Sequence, residues 1–388
     1  MARHFGMDWL RIGAFALLIL YHVGMVFVPW GFHIKTAQPL VWAEIPMFLT
    51  NPWRLSLLFL VSGYASRAML VRAPAIGGFV ASRSGRLLLP LAFGIAVVVP
   101  PQSWVELVVQ HRYPHGYAWF WARDYFRFGT FEGLILPTWN HLWFVVYLWV
   151  YTLALAALLA VIPARWRLQN LFDRVFAGSR ALWLPLLYVF VFQSLLFVRD
   201  EDTHDLFNDG PAHLRYFAMF LFGFGLAGSD AVMAGLRRWW PVAAGLATAG
   251  FVTIAALLVA WPDFTFPSRA VVWVFRVARD IETWATIAAL IGVAERFWNH
   301  DHRWRATLAE AVFPFYLIHQ TIIVVVEYWL RPLALGAGAE FAILVAATVA
   351  GCWGFYLIGR EIGWLRPLIG LKRRVARPRG DAREAAPA

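Results

Sequence analysis

Long apolar stretches recur along the chain, separated by short segments in which arginine, proline and acidic residues collect. A bilayer core is crossed by about 17 to 25 largely apolar residues in a helix. On that measure the pattern predicts spans near 9–30, 44–66, 87–109, 143–162, 182–198, 213–229, 239–261, 273–295, 307–329 and 339–359. The expected fold class is therefore an all-α integral membrane protein of about ten transmembrane helices. The second, sixth and eighth runs carry weaker patterns, because Arg54, Arg215, Arg276 and Arg279 interrupt or flank them. The first run opens with Asp8 and Arg11, is too long for the apolar part of a signal peptide and lacks a small-residue cleavage site, so it reads as a retained span.

Composition agrees with this pattern. Of 388 residues 61% are apolar and 15% charged, against about 45–50% and 25% in soluble domains. The one cysteine, Cys352, lies in an apolar run, which excludes an intrachain disulfide and a cysteine-based zinc site. The net charge of +11 would suggest nucleic acid in a soluble protein. Here its distribution changes the meaning. With the N-terminus inside, the connections on the inner side, the N-terminus and the C-terminal stretch collect 23 of the 34 cations, all but two of which are arginine. The positive-inside rule then puts both termini in the cytoplasm. Residues 1–365 are expected to form one transmembrane domain. Residues 366–388 read as a basic, disordered cytoplasmic tail facing water or lipid rather than nucleic acid. The outer connections include the acidic loop Arg199–Asp209 and the aromatic segment 110–142, which suits either a helix lying at the interface or a lid with stacking surfaces.

Ionisable residues within spans are costly and are the first places to look for function. Arg11 and His22 are eleven residues apart, three helical turns plus about 20°, so they share a face at roughly 16 Å separation. Asp8 is spaced for an i, i+3 ion pair with Arg11. The spacing suits an anion held at the cytoplasmic surface with a base deep in the membrane, although a lone buried histidine is also commonly structural. In the second span Arg54 lies toward the outside and Ser62–Gly63 deeper, where the small pair suits either close helix packing or a kink past which a thin ligand threads. Arg83 and Arg86 lie one turn apart and suit phosphate oxygens, or simply a positive-inside flank. His141, Trp143 and Tyr147 open the fourth span, and His319 lies in the ninth at a depth similar to His22. Packing or a haem pair would also account for two such histidines.

Taken in order, Arg11 with His22, Ser62-Gly63-Tyr64, Arg83 with Arg86, His141-Leu-Trp-Phe144 and Tyr316-Leu-Ile-His319 resemble the motifs of the membrane acyltransferase family 3, and within it the glucan biosynthesis protein C-like branch. The resemblance runs from the first to the ninth span. It implies transfer of an acyl group, succinyl or acetyl, from cytoplasmic acyl-CoA to a hydroxyl, usually of a glycan, across a bacterial inner membrane. His22 maps onto the catalytic histidine and Arg11, Arg83 and Arg86 onto donor-binding positions, with Ser62 and Gly63 beside the donor arm. Arg54, His141, Trp143, Tyr147 and His319 are the expected acceptor contacts, and Arg276, Asp280 and Glu282 are weaker ones. The resemblance implies acyl-CoA as co-substrate and lipid bilayer and glycan as partners, with no bound cofactor; no metal or nucleic acid is expected, and no fused soluble domain is expected after the tenth helix. The competing reading is a secondary transporter or flippase for an anionic or sugar-linked substrate, with arginines lining a polar path.

Overall fold

The computed structural model describes residues 4–73, 75–162, 165–196 and 203–373. Its order is α1 (Phe5–Gly24), α2 (Glu44–Phe48), α3 (Arg54–Arg72), α4 (Ile76–Phe93), α5 (Pro100–His111), α6 (Tyr117–Trp119), β1 (Gly129–Phe131), β2 (Leu134–Leu136), α7 (Trp143–Val161), α8 (Arg165–Phe176), α9 (Arg180–Val189), α10 (Gly210–Leu226), α11 (Asp230–Ala260), α12 (Arg269–Phe297), α13 (Arg305–Leu330), α14 (Ala337–Glu361) and α15 (Leu365–Leu368). Every expected span is helical over most of its length. Seven helical stretches among the described residues are long and apolar enough to cross a membrane, and an eighth arises if Leu168–Phe176 and Arg180–Leu196, bent by 95°, act together. The remaining two fall short for reasons legible in their residues: α10 has only 17 residues, and α12 carries Arg276, Arg279, Asp280 and Glu282.

Several boundaries differ from expectation. The first helix ends at Gly24, not near residue 30, and the chain then leaves the helix while staying apolar; Lys35 Nζ donates to the freed carbonyls of Met25 (2.6 Å) and Val28 (2.8 Å). Burial of this ammonium lowers the Lys35 pKa to about 8. The second span begins at Arg54, with Glu44–Phe48 a separate short helix. The third stretch starts at Ile76, which takes Arg83 and Arg86 inside the helix, and passes through a π turn at Gly94–Val98. Pro100 and Pro101 lack N–H groups, so carbonyls one turn upstream lose their intrahelical donors. Side chains replace them: Ile95 O accepts from the Tyr125 hydroxyl (2.7 Å), Ala96 O from Trp121 Nε1 (2.8 Å) and Val98 O from the Thr321 hydroxyl (2.6 Å).

Small residues decide the tightest crossing. A Cβ on Gly63 would stand 1.9 Å from Phe220 O, and one on Gly223 would stand 1.9 Å from Leu60 O, so α3 and α10 meet backbone to backbone. On α1 the buried residues Met7, Leu10, Ala14, Leu18 and Tyr21 form one stripe of helical period. The Phe15 ring on this helix meets the Tyr316 ring edge-on at 5.6 Å, seating α1 against α13.

The aromatic segment 110–142 is neither a single helix nor open loop. It holds α6, a second short helical turn and the antiparallel β1–β2 hairpin, with Glu132 and Gly133 both at positive φ in its two-residue turn. Leu107, Tyr113, Phe120, Tyr125 and Leu136 give it a small core, and the Tyr113 hydroxyl donates to Asp124. At the other end of the chain, the first residues beyond the expected boundary at residue 365 pack on the bundle. Ile369 and Leu371 are buried, and Arg366 donates to Arg360 O (2.7 Å), Lys372 O (2.7 Å) and Glu310 (3.3 Å), which fastens this stretch to the bundle. The rest of the expected tail, residues 374–388, and residues 199–202 of the acidic loop lie outside the described residues.

Candidate active site

The ring of His22, two residues from the end of α1, stands beside that of His319 on α13, with His22 Nδ1 2.9 Å from His319 Nε2. The other nitrogen of His319, Nδ1, is 2.7 Å from Tyr316 O one turn back. His319 is fully buried, whereas His22 keeps partial exposure into a cavity of about 1050 Å³. His141 closes the cluster. Its Nε2 donates to Leu317 O (3.1 Å), its ring lies edge-on to His319 at 5.1 Å, and its own carbonyl accepts from the Tyr316 hydroxyl. The three histidines come from three elements, and the α13 segment Tyr316–His319 joins them: it carries His319 and holds His141 through Leu317 O and the Tyr316 hydroxyl. Among the described residues no group of three histidine, cysteine or acidic side chains is arranged to hold a metal ion.

Around this cluster the cavity combines flat aromatic surfaces with a few polar side chains, as ligand pockets do. Trp139 and Trp143 supply rings, while Arg54, Glu106, Asn140 and Gln320 supply donors and acceptors. Arg54 is 7% exposed and its guanidinium carbon lies 3.2 Å from the centre of the Tyr21 ring. Its Nε has no hydrogen-bond partner among the described residues, and its one long backbone bond is to Asn51 O at 3.4 Å. A buried guanidinium so sparsely satisfied is a ready receptor for an anionic oxygen. Gln102 Nε2 donates to Thr321 Oγ1 (2.7 Å), and Asn140 Nδ2 and Gln320 Nε2 both donate to Gln102 Oε1 (3.1 Å each). Gln320 Nε2 also meets His33 Nε2 at 2.9 Å, while His33 Nδ1 donates to Glu106.

The other expected residues divide. Arg11 lies on α1 and Arg83 and Arg86 on α4, and the charges of Arg86 and Arg11 both act on Arg83. Arg11 Nη2 donates to Ala309 O (3.0 Å) and Arg83 Nη1 points to Met69 Sδ (3.4 Å), and the Nε of each lacks a partner among the described residues. Asp8, spaced for Arg11, forms an ion pair with Arg305 (2.8 Å), and its charge also acts on Arg11. Gly63 fills the α3–α10 crossing and, like Ser62, does not line the cavity. His319, expected to touch the acceptor, has both ring nitrogens occupied by Tyr316 O and His22 and stands behind His22. Tyr147 donates to Asp209 (2.7 Å), behind Trp143, on which His204 stacks at 4.3 Å. Asp280 accepts from Ser194, and both Glu282 oxygens lack partners among the described residues; these and Arg276 lie outside the cavity lining. Sequence reasoning missed Gln102, Gln320 and Thr321, though each is a polar residue inside an apolar run and was visible as such. His33 and Glu106 are 73 positions apart and carry no local signal of their pairing.

The chain matches a family described as an acyltransferase domain over residues 4–357. It is also similar to glucans biosynthesis protein C of Escherichia coli O6:K15:H31 (strain 536 / UPEC), with 25% identity over 152 residues, 39% of this chain and 37% of that protein. The protein of the same name from Escherichia coli O1:K1 / APEC is 23% identical over 150 residues, with the same shares of 39% and 37%. The chain thus spans less than two fifths of the length of these curated relatives. No solved structure matches it. Because the family match runs through the helices that carry His22, His141 and His319, the chain belongs to the acyltransferase-domain family of multi-pass membrane proteins.

Proposed function

We propose that the protein is a membrane-bound O-acyltransferase that moves a succinyl or acetyl group from cytoplasmic acyl-CoA to a hydroxyl of a glycan on the far side of a bacterial inner membrane. The observation that carries this reading is the partly exposed His22 ring on the wall of the large polar and aromatic cavity, on the same helix as Arg11. In this reading ten spans cross the membrane and both termini are cytoplasmic, so the arginine cluster faces the cytoplasm and the cavity faces outward. Arg11, Arg83 and Arg86 bind the donor phosphates; the unpartnered Nε atoms of Arg11 and Arg83 support that role. The acceptor enters among Arg54, His141 and Trp143.

His22 removes the acceptor proton as the acceptor oxygen attacks the thioester carbonyl carbon. Collapse of the tetrahedral oxyanion breaks the carbon–sulfur bond, and the protonated His22 returns its proton to the departing thiolate. The acylated glycan and free CoA are the products. The Arg54 guanidinium at the cavity wall stabilises negative oxygen there more strongly than water would. Membranes carrying the protein, supplied with labelled succinyl-CoA or acetyl-CoA and envelope glycan, are expected to release CoA and acylate the glycan. His22→Ala is expected to insert and fold normally and to lose about 100-fold or more of this activity. Full activity in His22→Ala would overturn the assignment of the base, and substrate movement with no CoA release would instead favour a transporter.

A further inference from the structure

We infer that His319 is a positioning residue for the acyl transfer: it fixes the tautomer of His22 so that Nε2 is the proton-accepting atom. This inference rests on the reading of His22 as the base. It follows from the direction of two hydrogen bonds. A carbonyl oxygen only accepts, so the 2.7 Å contact with Tyr316 O places the hydrogen of His319 on Nδ1. In a neutral imidazole the second nitrogen then holds a lone pair, so His319 Nε2 is an acceptor. The atom facing it at 2.9 Å, His22 Nδ1, must carry the hydrogen of that ring. The remaining nitrogen of His22, Nε2, keeps its lone pair.

The opposite arrangement needs a doubly protonated His319 that donates in both directions and leaves His22 protonated on Nε2. His319 is fully buried, and its hydrogen-bond partners are a carbonyl and a neutral imidazole. An unpaired charge there is strongly disfavoured. The neighbouring side chains reinforce the geometry. The His141 and Tyr316 rings pack on His319 at 5.1 and 6.0 Å between centroids, and His141 spends its Nε2–H on Leu317 O. His319 is thus held in one orientation by its own helix and presents one lone pair to His22.

This arrangement acts mainly in the transition state. When His22 Nε2 takes the acceptor proton, the ring becomes an imidazolium and its Nδ1–H···Nε2 bond to His319 becomes charge-assisted, roughly twice as strong as the neutral bond. Support that grows with the developing charge raises turnover rather than substrate affinity.

Four full-length variants compared in membranes test the inference. His319→Gln retains a side-chain oxygen able to accept from His22 Nδ1–H, whereas His319→Phe and His319→Leu do not. His22→Ala separates failure of the base reading from failure of this one. The expected result is a fall in kcat of about 100-fold for the Phe and Leu variants with donor and acceptor KM within about twofold, and recovery to within about tenfold of wild type in the Gln variant. Retained activity in His22→Ala would remove the base and this inference with it. If His22→Ala is inactive but His319→Phe or His319→Leu turns over at the wild-type rate, the base reading stands and the positioning role is overturned. It is overturned equally if Gln falls as far as Phe and Leu, or if the loss appears in acceptor KM with kcat unchanged. Should the Phe variant fail to accumulate, the Leu and Gln pair decides.

Discussion

His4 stands one residue ahead of α1 and its Nδ1–H donates to Glu295 at 2.8 Å, on the C-terminal turns of α12. That hydrogen bond raises the His4 pKa above its ordinary 6.5, with burial working in the opposite direction. A histidine whose pKa is higher in the folded state stabilises the fold fully below its unfolded value, and the contribution disappears as pH rises through the folded value. Wild type is therefore expected to lose more thermal stability than His4→Gln as pH rises above the ordinary histidine value of 6.5, with the gap between them closing once His4 has lost its proton in the folded state. Parallel melting curves would show the expectation to be wrong. At this scale the sequence was informative about kind and poor about partners. Spans running in the same direction make the similar depth of His22 and His319 legible, but nothing in residues 297 positions apart says that their rings touch. The same gap explains Asp8, whose nearest cation along α1 is Arg11 while its carboxylate reaches Arg305.

Among the elements, α3 shows how one motif supports two readings until neighbours are known. Ser62–Gly63 suits a close crossing or a ligand passage, and contact with the α10 backbone selects the crossing. Gly63→Leu would force a branched side chain into that backbone, at a cost of about 3 kcal/mol. The purified variant is expected to melt several degrees lower than wild type; an unchanged melting temperature would mean that α3 and α10 do not meet there. Helix existence was readable because apolar runs of this length have few other uses. Helix ends were harder: residues 25–30 remain largely apolar after α1 has ended, and hydropathy does not distinguish a buried loop from a helix. The π turn had a clearer local cause in Pro100–Pro101, but the donors that rescue its carbonyls come from other parts of the chain.

For the whole molecule, the arginine cluster and the cavity belong to opposite ends of α1, and the proposed orientation gives each end a compartment. Gly77 and Gly116 are exposed and have open space around them, which makes them suitable label sites on the two sides. In a Cys352→Ser background, an impermeant maleimide is expected to label Gly116→Cys in spheroplasts and Gly77→Cys only after lysis. The reverse pattern would invert the membrane orientation and place the arginine cluster away from a cytoplasmic donor. The basic balance of the chain made this proposal possible. It does not reveal the fold of the outer segment over the cavity, which depends on a small aromatic core and contacts across the bundle.

The carbonyls released at the π turn have a mechanical consequence. Tyr125 and Trp121 of the outer segment hold two of them, while Thr321, two residues beyond His319, holds a third. One short piece of backbone thereby ties the roof of the cavity to the helix behind its reactive wall. Lifting that roof requires breaking these bonds or dragging the turn along with it, and in the second case the strain arrives within two residues of His319.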